Sequence, residues 1–357
     1  MKSKIGGFIF KLAVLGIGLA IKFALPDTDN ILLNVLLLVF GFFMLIKGAD
    51  WFVESASKIA DKLGVSQLII GLTIVAFGTS APEAAVSITA AAKSTAAAPG
   101  SIDIAIGNVM GSNIMNILVI LGITCIICPL AVQASTRRIE IPFVIVITSL
   151  ALFLGYSDGA IGKVDGAILL VLMIAFIVYL LIMAKKGQGS VEEGEAADAN
   201  DKVPLLLLLA LIGGAAIVFG SDITVAAAST IAKKAGMSEK MVGLTIVAFG
   251  TSLPELMTSI IAASKKKADI AVGNIVGSNI FNLLFVMALT AIVSPIPLPY
   301  ANATTNFLVD NCVAIFAAIL LFIGVLNKKK RLERWCGVLM VLSYAGYFTY
   351  LMMFQGV

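Results

Sequence analysis

Two glutamates stand in surroundings that disfavour charge. Glu83 closes the run Gly-Leu-Thr-Ile-Val-Ala-Phe-Gly-Thr-Ser-Ala-Pro-Glu (71–83), and Glu255 closes a copy at 243–255 in which Leu253 replaces Ala81. Pro82 has no amide hydrogen and its ring crowds the carbonyl four residues back, so Gly78 loses its helical partner. Thr79 precedes Glu83 by four positions and shares its helix face. Thr251, Ser252, Pro254 and Glu255 repeat the arrangement. A second motif, Asp-Ile-Ala-Ile-Gly-Asn-Val-Met-Gly-Ser-Asn-Ile-Met-Asn (103–116), returns at 269–282 with four apolar changes. It carries polar stripes of period four, Asn108, Ser112 and Asn116, then Asn274, Ser278 and Asn282. Gly107 with Gly111, and Gly273 with Gly277, have the small-xxx-small spacing of closely packed helices. That approach is expected to bring each stripe against a glutamate-bearing helix.

Together these residues form an all-oxygen donor set with two negative charges. Ca²⁺ accepts six to eight flexible oxygen ligands, whereas transition metals favour nitrogen and sulfur, which both motifs lack. Two carboxylates neutralise one Ca²⁺, and Na⁺, of similar size, could occupy the same oxygens. Mutually exclusive occupancy is a physical route to antiport. Serine, threonine and asparagine are also common interhelical glue, but a carboxylate at bilayer depth costs at least about 2.5–3.5 kcal/mol and marks an ion or substrate path.

The elements that must position these groups follow from composition. Hydrophobic residues make up 60% of the 357 and charged residues 13%, and the mean hydropathy is +1.05. A soluble domain carries about 25% charged residues, so this chain is an integral membrane protein, all-α and polytopic. A ruler of about 20 apolar residues per span marks eleven candidates, near 6–25, 31–49, 67–92, 104–130, 139–156, 164–184, 203–231, 241–264, 269–294, 306–326 and 333–354. Lys11 interrupts the first and no small-x-small cleavage site follows, so it reads as a retained helix rather than a signal peptide. Five crossings separate the copies of the first motif. An odd number makes the second copy enter from the opposite side, giving an inverted-topology repeat with its site at the repeat interface. The expected organisation is an extra N-terminal helix (1–28), a five-helix half (29–186), a flexible cytoplasmic linker (187–202) and a second five-helix half (203–357). The excess of Lys and Arg in alternate loops, from Lys2 and Lys4 to the 328–334 cluster, puts the N-terminus in the cytoplasm and the C-terminus outside.

Other features exclude chemistry. The net charge of +4 is small and dispersed, which does not suit nucleic acid, and the chain has no histidine. Cys125-x-x-Cys128 lies in an apolar run and reads as inert. Asp50 and Asp222 read as interfacial, Asp103 and Asp269 as first-turn acids favoured by the helix dipole. With no nucleophile–base pair the chain reads as no enzyme.

The two motifs resemble those of the sodium/calcium exchanger branch of the cation/Ca²⁺ antiporter superfamily, G-T-S-x-P-E and G-N-x-x-G-S-N-x-x-N/D, each present twice. The asparagine-rich G-N-A-x-E signature of the proton/calcium branch is absent. The resemblance covers all but the first helix and implies that Glu83 and Glu255 serve both Ca²⁺ and Na⁺. Carbonyls or hydroxyls of Ala76, Thr79, Ser80, Ala248, Thr251 and Ser252, with Ser112, Asn116, Ser278 and Asn282, would complete the set. It also implies that helices 31–49 and 203–231 move against the other eight, with Gly213, Gly214 and Gly220 easing the sliding. Potassium-dependent relatives carry Asp where this chain has Asn282, so K⁺-independent exchange is expected. Three Na⁺ per Ca²⁺, the family stoichiometry, would make exchange electrogenic. No cofactor and no obligate protein partner are expected beyond the transported Ca²⁺ and Na⁺ and the bilayer. The linker has no room for the large Ca²⁺-sensing domains of some relatives. A H⁺/Ca²⁺ exchanger on the same scaffold is the alternative.

Overall fold

The computed structural model of the chain describes residues 2–24, 30–94, 100–186, 202–237, 246, 248–297 and 307–354. The first half contains α1 (Lys2–Ala24), α2 (Ile31–Leu63), α3 (Gln67–Thr79), α4 (Ala81–Lys93) and α5, which runs from Gly100–Met115 through a π turn at Asn116–Leu121 into Gly122–Ile127. It ends with α6 (Thr136–Ser157) and α7 (Lys163–Lys185). The second half contains α8 (Val203–Lys234), α9 (Ala248–Thr251), α10 (Leu253–Ser264), α11 (Ala268–Val293), α12 (Phe307–Val325) and α13 (Arg334–Phe354). Among the described residues, eight helices are long and apolar enough to cross a bilayer, and the α3–α4 pair, bent by 48°, makes a ninth. The linker lies outside the described residues.

The outer surface is that of a lipid-solvated protein. On α7, Val164, Val171, Ile174 and Leu181 are exposed while Leu169, Phe176 and Leu180 are buried. The inner helices α5 and α11 invert this: most of their residues beyond Ile104 are buried.

One expected boundary is wrong. α2 does not stop at 49 but continues to Leu63, where Gly64 at φ 65° closes it and its amide bonds the Ala60 and Asp61 carbonyls. The charged residues that suggested a loop lie on the partly exposed face of a helix whose other face stays buried to Ala60, and there Lys58 bonds Glu54 one turn away at 2.6 Å. Asp50, which follows the expected end at 49, is accordingly mid-helix and paired with Lys265.

Contacts recur in exchanged pairs, as a two-fold relation between antiparallel halves requires. The offset that carries Glu83 onto Glu255 also carries Gly41 onto Gly213 and Gly48 onto Gly220. Where α2 crosses α8, Gly41 meets Gly220 and Gly48 meets Gly213. A Cβ on Gly48 would lie 2.9 Å from the Gly213 carbonyl, and one on Gly220 would lie 3.0 Å from that of Gly41. The connecting strands obey the same exchange. Of β1 (Leu130–Ala131), β2 (Ala160–Ile161), β3 (Ile296–Pro297) and β4 (Arg331–Leu332), β1 pairs with β4 and β2 with β3, both antiparallel. Each half also clamps its outer helices with a tyrosine on a buried acid, Tyr179 on Glu140 and Tyr347 on Asp310, the latter at 2.7 Å. The extra helix α1 rests on α2 and α8, with Phe10 edge-on to Trp51 at 6.2 Å and Lys11 over the same ring.

Candidate ion-binding site

The first motif breaks its helix at Ser80, whose φ of −86° and ψ of 5° leave the helical region. Ser252 breaks the second copy in the same way, at −93° and 4°. The Ser80 amide bonds the Ala76 carbonyl at 3.0 Å and the next amide to reach back is that of Ala84, to Ser80. The carbonyls of Phe77, Gly78 and Thr79 therefore receive no backbone donor across the break, as Pro82 dictates for Gly78. Ala76, an expected ligand through its carbonyl, is already engaged by Ser80. Ala248 lies at the start of α9, and its side chain is outside the described residues. The break is roofed by the long crossing helices: a Cβ on Gly78 would strike Phe52 of α2, and one on Gly250 would strike Val225 of α8.

The two breaks face each other, and each serine reaches across to the other half's acid. Ser80 Oγ donates to Glu255 Oε1 at 2.9 Å, and Ser252 Oγ lies 3.5 Å from Glu83 Oε1. Ser278 approaches Glu255 Oε1 at 3.5 Å, and Ser112 lies 3.5 Å from Ser252. Glu83 and Glu255 are 1% and 0% exposed, and among the described residues neither forms an ion pair. A bond from a hydroxyl to a carboxylate contributes about 1.5–3 kcal/mol, too little to offset several kcal/mol of desolvation for each buried ion. The two acids therefore need a cation or a proton.

Thr79 and Thr251 each direct their hydroxyl to an asparagine of the opposite half. Thr79 has the Val75 carbonyl at 3.1 Å and Asn274 Oδ1 at 3.0 Å as acceptors, and Thr251 has Asn108 Oδ1 at 3.5 Å. Asn108 and Asn274 are therefore braces. Asn108 donates to the Glu83 carbonyl at 3.1 Å and to Ser87 at 2.9 Å, Asn274 to the Glu255 carbonyl at 3.4 Å and to Ser259 at 3.0 Å. The stripes thus meet the glutamate-bearing helices of their own half, as expected. The glycines do something different: Gly273 and Gly277 pack on the opposite half, where their Cβ positions come within 3.1 Å of Gly71 and Leu72.

Below the acids, α5 and α11 join through four asparagines. Asn116 Nδ2 donates to Asn279 Oδ1 at 2.9 Å and Asn282 Nδ2 to Asn113 Oδ1 at 3.2 Å. Asn113, Asn279, Ser87 and Ser259 had no role assigned from sequence, although each is repeated identically in both halves, the signal that could have found them. π turns start at Asn116 and at Asn282, a distortion frequent at functional sites. Among the described residues, four buried oxygens of this region have no hydrogen-bond partner: Glu83 Oε2, Glu255 Oε2, Asn116 Oδ1 and Asn282 Oδ1. All four are acceptors on expected ligand residues. A buried polar atom without a partner is costly, and a cluster of acceptors alone suits a hard cation.

The two membrane faces of this region differ. A cavity of about 530 Å³ separates α8 from α4, lined by Asn34, Pro82, Val86, Asp222, Gly250 and Thr251 among others. The symmetry-equivalent helices α2 and α10 instead pack together, closed by the Lys265–Asp50 ion pair.

Comparison with known proteins accords with this geometry. The sequence model for the family described as sodium/calcium exchanger protein matches twice, at residues 33–182 and 205–353. The putative antiporter CaxA of Alkalimonas amylolytica is 38% identical over 88% of this chain and 98% of its own. The sodium/calcium exchanger MaX1 of Methanosarcina acetivorans is 30% identical over 90% and 99%. Solved structures of the sodium-calcium exchanger NCX_Mj superpose with a TM-score of 0.75 at 33% identity, covering 90% of this chain and 99% of that one. A family match that spans both halves, together with relatives and structures aligned over nearly their full lengths, establishes that this chain belongs to the sodium/calcium exchanger protein family.

Proposed function

We propose that this chain is a secondary-active antiporter that exchanges Na⁺ for Ca²⁺ by alternating access, without K⁺ and with net charge movement. The observation that carries this reading is the cluster of four partnerless oxygens, two from carboxylates and two from amides. One Ca²⁺ neutralises the two carboxylates. Na⁺ on the same oxygens excludes it, and three Na⁺ would leave the loaded site with one positive charge. Neutral amides at Asn116 and Asn282 supply no further anion with which to hold K⁺. Ligands from both halves, Glu83 with Ser112 and Glu255 with Ser278, make the site a seam between two units, 29–186 and 203–357. On the orientation expected from the basic residues, with the N-terminus in the cytoplasm of a cell-membrane protein, the cavity beside α8 opens outward and the Lys265–Asp50 pair lies inward.

A test uses proteoliposomes loaded with Na⁺ and diluted into Na⁺-free buffer containing Ca²⁺. Ca²⁺ accumulation that an opposing membrane potential slows, and that K⁺ leaves unchanged, is expected; no accumulation by folded protein refutes the reading. Among the described residues neither acid has a basic partner, which supports a second reading, because protons could neutralise them as Na⁺ does. In that case a pH jump without Na⁺ drives Ca²⁺ uptake.

A further inference from the structure

We propose that Asn113 and Asn279 are positioning residues that decide which end of the facing asparagine is turned toward the ion. This rests on the reading of the four partnerless oxygens as ligands. The reasoning starts from a backbone carbonyl, which can only accept. Asn279 places one end of its amide 3.2 Å from the Asn113 carbonyl, so that end must be Nδ2. Its other end is then Oδ1, an acceptor, and it faces Asn116 at 2.9 Å. Asn116 must answer with its own Nδ2, which leaves Asn116 Oδ1 pointing away from the clasp without a partner. The same sequence runs in the other direction: Asn113 donates to the Asn279 carbonyl at 3.3 Å and accepts from Asn282 at 3.2 Å, which leaves Asn282 Oδ1 free.

All four side chains are at most 3% exposed, so water cannot substitute for a misplaced partner. Turning either ligand asparagine over would set two oxygens against each other inside the clasp and aim an NH₂ donor at a cation. An acceptor-only carbonyl on one helix thus dictates, through one asparagine, the atom that a second asparagine offers the ion. The dependence is crossed: Asn279 governs Asn116, and Asn113 governs Asn282.

The crossing supplies the test, a set of double-mutant cycles on Ca²⁺ binding by isothermal titration of purified, folded protein. Asn279→Leu should weaken Ca²⁺ binding about tenfold alone but by less than about twofold on an Asn116→Ala background, since the residue it acts through is gone. On an Asn282→Ala background it should retain its full factor. Asn113→Leu should show the reverse pattern and suffices alone if Asn279→Leu does not fold. Full multiplication on both backgrounds, the signature of a general structural role, overturns the proposal, as does equal coupling to both. Binding is read without Na⁺ and without transport, so a wild type that binds Ca²⁺ but exchanges no Na⁺ would sink the exchange reading and leave this one standing.

Discussion

Replacing Glu255 with Gln removes one unit of charge and almost no volume from a residue that is 0% exposed. Its Oε1 accepts from Ser80 at 2.9 Å and has Ser278 at 3.5 Å, while its Oε2 has no partner. Without metal ions the wild-type protein must hold two acids in one desolvated site, uptake of a proton offsetting part of the cost, and the amide relieves both the desolvation and the repulsion. Exchanging buried charge for neutral groups is neutral to stabilising by about 1–4 kcal/mol, so ion-free Glu255→Gln should unfold at a higher temperature than wild type. With Ca²⁺ the sign reverses, because a single carboxylate leaves a buried positive charge uncompensated. That costs about 3–5 kcal/mol, or roughly 100- to 4,000-fold in affinity at about 1.4 kcal/mol per tenfold. Thermal unfolding in ion-free detergent and calcium titration of the same preparation check both halves of the argument, and proteoliposome uptake should be lost. A variant less stable than wild type without ions would make the acid a structural group. Calcium binding within about threefold of wild type would remove it from the site.

Three further outcomes follow from particular contacts. In a cysteine-free background, cysteines at 50 and 265 should crosslink in the conformation described above, whereas cysteines at 93 and 222, their symmetry equivalents, should crosslink only when the cavity beside α8 closes; a population in which one molecule forms both refutes alternation at these helix ends. Gly213→Val should destabilise by about 1–3 kcal/mol through overpacking and stop exchange, since its Cβ would meet the Phe52 amide at 2.8 Å, while Gly214→Ala, whose Cβ would meet only the Phe52 ring at 3.9 Å, should leave both unchanged; thermal unfolding and uptake report the difference. Asn282→Asp should change K⁺ dependence or Na⁺ affinity in flux assays, because it adds an anion to the ligand set, and identical ion dependence would undo the selectivity argument.

Much of this molecule was legible before folding. Low charge and apolar runs of about 20 residues dictate membrane helices, because a continuous run of that length in lipid satisfies its backbone hydrogen bonds within itself. Pro82 and Pro254 announce the helix breaks through chemistry confined to four residues, and duplicated motifs separated by an odd number of spans imply inverted halves. The expense of a carboxylate at depth singles out Glu83 and Glu255. These inferences rest on interactions within one helical turn or on counting, and need no knowledge of neighbours. What escaped depends on partners 140 to 210 positions away or on depth. That Ser80 serves Glu255 and Ser252 approaches Glu83, each across the seam, follows from how the halves dock. That α2 runs past Asp50 to Leu63 follows from the packing that buries one face of its last turns, from Trp51 to Ala60. On the proposal above, which atom of Asn116 faces the ion is decided through Asn279 of α11, which the Asn113 carbonyl orients. Spacing places a side chain on a helix face, but only packing against another helix determines which of its atoms remains available.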